Sequence, residues 1–133
     1  MTGGYMPLIR IKSLPFAGDV EVNVALGRLS QAISDATQIP QQHIMIVWEY
    51  LPAGHYVHGG LQANQQPSNS HPILVDMVAP NFNTEAQIAA MLELIAGNLS
   101  KSLPVAQNNI FINYIPAYSD GVYDDGHVVE WEN

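Results

Sequence analysis

The sequence contains no cysteine. That excludes a disulfide framework and any thiolate chemistry. Positive charge is nearly as scarce. Arg10, Lys12, Arg28 and Lys101 are the only basic Lys or Arg residues, against 12 Asp and Glu, for a formal net charge of −8. A nucleic-acid surface needs clustered Lys and Arg, and an anionic membrane face needs the same, so neither partner is expected. No apolar run approaches the length that spans a bilayer. The N-terminus carries no charged stretch ahead of an apolar one, as a secretory signal would. The expected location is the cytoplasm. There is also no glycine-rich phosphate loop ahead of a helix and no nucleophile-elbow pattern; no cofactor is expected.

What the chain has instead is apolar residues. Of its 133 residues, 47% are hydrophobic and 12% charged. This length suits one domain with a core of its own. So few charges suggest that part of the exterior is buried against other subunits, and self-association is expected.

The same order of features occurs twice. Met6 to Pro15 (MPLIRIKSLP) and His71 to Pro80 (HPILVDMVAP) are runs rich in β-branched residues, each opened and closed by proline. Proline is tolerated at the ends of a strand and not within a ladder, so both read as strands. A helix follows each. Val22, Leu26, Leu29 and Ile33 share one face of the first, with Asp19 as candidate N-cap. Ile88, Met91 or Leu92, Ile95 and Leu99 do so in the second, where Thr84 and Gln87 carry a capping-box signature. The helices are expected to stop before Pro40 and Pro104. Second strands follow at His43–Trp48 and Asn109–Tyr114.

Strand, helix and strand make one β-α-β unit. The expected class is therefore α+β, two β-α-β repeats forming a four-stranded mixed sheet covered on one face by two helices. The expected organisation is a leader (1–6), a first copy (7–60), a polar linker (61–70), a second copy (71–116) and a C-terminal segment (117–133). In the last, Gly121 and Gly126 mark turns, and Val128 to Trp131 is expected to pair as a short strand with a neighbouring subunit.

The stretch Trp48 to Gly60 (WEYLPAGHYVHGG) resembles the end of the 4-oxalocrotonate tautomerase subunit, with its Gly-His-aromatic-x-x-Gly-Gly hairpin, and the match runs back without gaps to Pro7. Ala36 to Ile44 (ATQIPQQHI) is similar to the helix-to-strand passage of the macrophage migration inhibitory factor type, and Ile110 to Tyr114 (IFINY) to the last core strand of that type. Together these resemble the tautomerase superfamily from Pro7 to about Tyr114. The resemblance implies a homotrimer and a catalytic N-terminal proline. A free α-amine has a pKa of about 7.7–8.0 as a generic value, and an apolar pocket lowers it toward neutrality, where a base is most useful.

The resemblance makes Pro7 the base, acting on a small 2-keto acid. Within a peptide bond its nitrogen cannot be a base, because the lone pair is delocalised, and Met1 to Met6 precede it. Two readings follow. Either Met6 is the start and its loss exposes Pro7, or the leader is native and the chain is a non-catalytic trimeric relative with a binding or scaffold role. The family's carboxylate-holding arginines fall on Ala17 and Met45, and its pocket lysine on Ile39. Its aromatic position falls on Tyr56, and its late-strand tyrosine and asparagine on Phe111 and Asn113.

Substrate-binding candidates are therefore Tyr56 and Asn113, together with His43 as a possible acid or base or a satisfied strand-edge histidine. Arg10 and Lys12 are expected opposite Leu8 on the first strand, either reaching a carboxylate or serving as surface charges. His55 and His58 sit in a hairpin, where their spacing does not bring the rings together, so no metal site is expected.

Overall fold

Proline placement and hydrophobic alternation set the framework. The computed structural model describes residues 7–132. Strand β1 is Leu8–Ser13, helix α1 Val22–Thr37 and strand β2 Met45–Tyr50. After a hairpin of β3 (Val57–His58) and β4 (Leu61–Gln62), the second copy supplies β5 (Ile73–Pro80), α2 (Glu85–Ser102) and β6 (Ile110–Ala117). A terminal hairpin, β7 (Val122–Asp124) and β8 (His127–Val129), follows.

The main sheet has the order β2-β1-β5-β6. Within each copy the strands are parallel, and the copies meet antiparallel at β1 and β5. Leu8 stands opposite Met45 and Ile73 opposite Ile110, so the parallel pairs have the same register in both copies. The sequence repeat is thus a structural repeat, and the mixed sheet with two helices is the α+β sandwich expected.

Alternation divides the sheet into two faces. Ile9, Ile11, Ile73, Val75 and Met77 are buried beneath Ala25, Leu29 and Ile33 of α1 and Ile95 and Leu99 of α2. The other face carries Arg10, Lys12, Met45, Val47 and Phe111 in exposed positions. Arg10 and Lys12 therefore share a face with Leu8 rather than opposing it, because the strand period of two puts residues 8, 10 and 12 on one side. No helix among the described residues is long and apolar enough to cross a membrane.

Several boundaries differ from the sequence reading. Helix α1 is capped at Glu21 rather than Asp19; the Glu21 carbonyl accepts from the amides of Val24 (3.1 Å) and Ala25 (3.2 Å), and no side chain caps it. Helix α2 has the full capping box: Thr84 Oγ1 accepts from the Gln87 amide at 3.1 Å, and Gln87 Oε1 accepts from the Thr84 amide at 2.8 Å. Both second strands start later than expected, because short 3-10 turns, Gln41–His43 and Gln107–Asn109, precede them. His43 thus lies in a turn and not on a strand. The C-terminal strand pairs with β7 of its own chain through a two-residue turn at Asp125 (φ 53°) and Gly126 (φ 82°). Positive φ at both central residues is what a type I′ hairpin requires, and Asp-Gly supplies it.

The polar linker is tightly held. Gln66 is buried, its Oε1 accepting from the Leu14 amide at 3.0 Å and its Nε2 donating to the carbonyls of His71 and Pro67. Buried Asn109 donates to the same two carbonyls, at 3.3 and 3.2 Å. These amide side chains satisfy backbone groups that the bend into β5 would otherwise leave unpaired.

Candidate functional site

Pro7 immediately precedes β1, on the helix-covered side of the sheet. It is buried, and its carbonyl accepts from the Met45 amide at 3.1 Å, tying the start of β1 to that of β2. Beside it opens a cleft of about 450 Å³. One wall is the end of α1 and the residues after it, Ala36 to Ile39. The other is the β5-to-α2 turn and the first turns of α2, with Ala79, Phe82, Asn83, Gln87, Ala90, Met91 and Leu94. The volume falls within the range of small-molecule sites.

Local hydrogen bonds shape both walls. Helix α1 ends on Gln38 in the left-handed region (φ 61°), whose amide donates to the Ser34 carbonyl at 2.8 Å. Thr37 Oγ1 donates to the Ile33 carbonyl (2.6 Å) and accepts from the Ile39 amide (3.2 Å), turning the chain outward. Opposite, Asn83 Nδ2 donates to the Pro80 carbonyl at 2.7 Å and fixes the turn into α2. Phe82 is braced from outside the cleft. Trp131 meets it edge-on at 5.8 Å between ring centroids, its indole N–H donates to Asn81 Oδ1 at 2.8 Å, and its amide donates to Ser119 Oγ at 2.8 Å. The C-terminal segment therefore reaches the cleft wall.

Of the catalytic and substrate-binding candidates read from sequence, Pro7 alone lines this cleft; Ile39, on which the pocket lysine falls, lines it too. Tyr56 is at the opposite end of β1: its hydroxyl donates to the Pro72 carbonyl at 2.8 Å, its ring stands edge-on to His71 at 5.0 Å, and burial raises its phenol pKa above the usual value. Arg10 and Asn113 lie on the uncovered face of the sheet, each paired in register with Asp76. Lys12 is nearby on that face, 4.0 Å from Glu49. His43 is half-buried in its 3-10 turn and is not among the cleft residues. His55 is exposed, and His58 bonds through Nδ1 to the Ser70 carbonyl while its ring meets that of His71 at 5.9 Å. The leader, residues 1–6, lies outside the described residues.

The fold is that of solved structures of one kind. A fused 4-OT, the F6 wild type in an asymmetric trimer, superposes with a TM-score of 0.77 at 19% identity, covering 91% of this chain and 94% of that one. The chain has the fused two-copy tautomerase fold. Pt0534 inactivated by 2-oxo-3-pentynoate superposes with a TM-score of 0.73 at 16% identity, over 93% and 94% of the two chains. Macrophage migration inhibitory factor from Oncomelania hupensis gives 0.69 at 13% identity, over 96% and 99%. No protein-family profile and no curated protein sequence matches the chain.

Sequence reasoning missed the amide side chains on the two walls of the cleft: Gln38 on one, Asn83 and Gln87 on the other. The capping-box pattern located Gln87 at a helix start, but nothing local signalled that this helix start faces Pro7 across a cleft.

Proposed function

We propose that the Pro7 cleft is the reactive pocket of a proline-amine keto–enol tautomerase acting on small enolisable carbonyl compounds. The observation that carries this is the placement of Pro7, buried at the head of β1 and opening onto a cleft between the end of α1 and the start of α2. A chain beginning at Pro7 has a secondary amine there. That amine takes the α-proton of the substrate, and the C–H electron pair forms the enolate double bond. The ammonium then returns a proton to the enolate oxygen or carbon, so the amine is regenerated. The apolar wall favours the neutral amine, which is the form that acts.

The reading includes a cytoplasmic homotrimer. The uncovered sheet face supports it, with Met45, Val47 and Phe111 at 44%, 48% and 57% exposure. The trimeric fused 4-OT structures also support it. Tyr56 and Asn113, remote from Pro7 in their own chain, would act on substrate only from a neighbouring copy.

Two measurements test the proposal. The intact mass of protein from its native locus is expected to correspond to a chain starting at Pro7. Such a chain is expected to accelerate ketonisation of phenylpyruvate enol or its methyl ester, followed by ultraviolet absorbance. A mass retaining residues before Pro7, or no rate from the Pro7-first chain, defeats it. A second reading, a non-catalytic trimer, is favoured by one observation: with Met1 to Met6 attached, the Pro7 nitrogen is an amide.

A further inference from the structure

We propose that the cleft beside Pro7 takes an uncharged carbonyl compound, a ketone or an ester, in preference to a carboxylate. The inference rests on this cleft being the reactive site and concerns the charge of what enters it.

The chain has four Lys and Arg, five His and 12 Asp and Glu side chains, and none is among the described residues that line the cleft. The cations are elsewhere. Arg10 and Lys12 are on the uncovered side of the sheet, Arg28 lies toward the other end of α1, and Lys101 is in the last turn of α2. A carboxylate entering the cleft would lose hydration without meeting an ion partner from the same chain, and that cost is large.

The helix termini do not replace the missing cation. The amino end of α2 would attract an anion through its unpaired amides. Here the Thr84 and Gln87 amides are already taken by each other's side chains, which leaves those of Glu85 and Ala86, and the Glu85 carboxylate offsets them with a negative charge in that first turn. The carboxyl end of α1, facing it, presents carbonyls and repels an anion.

What remains is neutral hydrogen-bonding capacity. Gln87 uses Oε1 in the capping box, and its Nε2 has no partner among the described residues. Asn83 and Gln38 each use their amide nitrogen on a backbone carbonyl, leaving Oδ1 and Oε1 without a partner among the described residues. The walls thus offer one free donor type and one free acceptor type. A ketone or ester carbonyl takes the donor, its enol hydroxyl takes an acceptor, and neither needs a counter-ion.

The test uses the full chain, labelled with nitrogen-15, and two probes of the same skeleton: phenylpyruvate and its methyl ester. The ester is expected to shift the side-chain amide signals of Asn83 and Gln87 and to bind at least about tenfold more tightly than the acid, with an affinity insensitive to salt. Gln38→Lys, which places a cation at the exposed end of the cleft, is expected to narrow or reverse that ratio. A wild-type ratio that favours the acid, or no shift with either probe, overturns the inference. Binding to the full chain needs no free amine. A failed rate assay with a Pro7-first chain therefore removes the proposed reaction and leaves the affinity ratio intact, whereas a ratio favouring the acid removes this inference and leaves any measured rate intact.

Discussion

The two ends of the β1–β5 pair are related by the repeat but differ in what surrounds their prolines. Pro7 opens β1 beside a cleft between two helix ends. Pro72 precedes β5 with its carbonyl bonded to Tyr56, amid the buried amides of Gln66 and Asn109. At one end Pro7 itself lines the cleft. At the other, a second cleft of about 820 Å³ opens between the start of α1 and the end of α2, but Gln66 and Ser68 of the joining chain line it, with Asp19, Glu21 and Arg28, and Pro72 does not. A covalent link between two like units thus makes their ends unlike: an internal proline nitrogen can only be an amide, and its surroundings serve folding.

The largest test of that difference exchanges the prolines. In a Pro7-first chain, Pro7→Ala replaces the secondary amine and is expected to lower the ketonisation rate by about a hundredfold or more, the usual scale for a catalytic base. Pro72→Ala is expected to leave the rate within about twofold in the same absorbance assay, since its nitrogen takes no part in the proposed proton transfer. Equal losses would erase the distinction between the ends.

Gln66→Ala tests whether the Pro72 end is structural. It leaves the buried Leu14 amide without its acceptor and is expected to cost about 1–3 kcal/mol in urea unfolding. A cost near zero would mean that water replaces the side chain.

The two helix starts sharpen the comparison further. Thr84→Ala removes the side-chain cap of α2 and is expected to cost about 1 kcal/mol. Glu21→Ala at the uncapped start of α1 is expected to change stability by less than about 0.5 kcal/mol, as for surface positions generally. Thermal unfolding of both variants checks the ranking.

A small effect is expected of Tyr56→Phe, about 0.5–1 kcal/mol for one hydroxyl-to-carbonyl bond. Burial raises the Tyr56 pKa from its ordinary value of 10.0. The unfolded chain then ionises first, so this contribution is complete below pH 10 and fades as pH climbs through the folded value. The variant is expected to lose less stability than wild type above pH 10, read by denaturant unfolding at stepped pH. Parallel slopes would contradict the assignment.

Much of the architecture was legible because its signals are local. Prolines bracket β1 and β5, and helical spacing places Leu29, Ile33, Ile95 and Leu99 in the core. Thr84 and Gln87 announce the start of α2. The late starts of β2 and β6 were not legible, since a 3-10 turn at Gln41–His43 or Gln107–Asn109 carries no distinct pattern. Gln66 was hidden in a stretch that reads as plain linker, because its role depends on Leu14, far away in sequence. Of the cleft, only Pro7 stood out as a reactive group. Its walls come from two helix ends brought together by packing, and their amide and apolar residues form no motif.

The bracing of Phe82 by Trp131 has an optical consequence. The chain has two tryptophans. Trp48 is half-buried at the sheet, its indole donating to Ser13 Oγ at 3.1 Å. Trp131 touches the cleft wall itself. A Trp48→Phe chain therefore carries a single tryptophan, beside the cleft wall, and the emission of that tryptophan follows occupancy with no label attached.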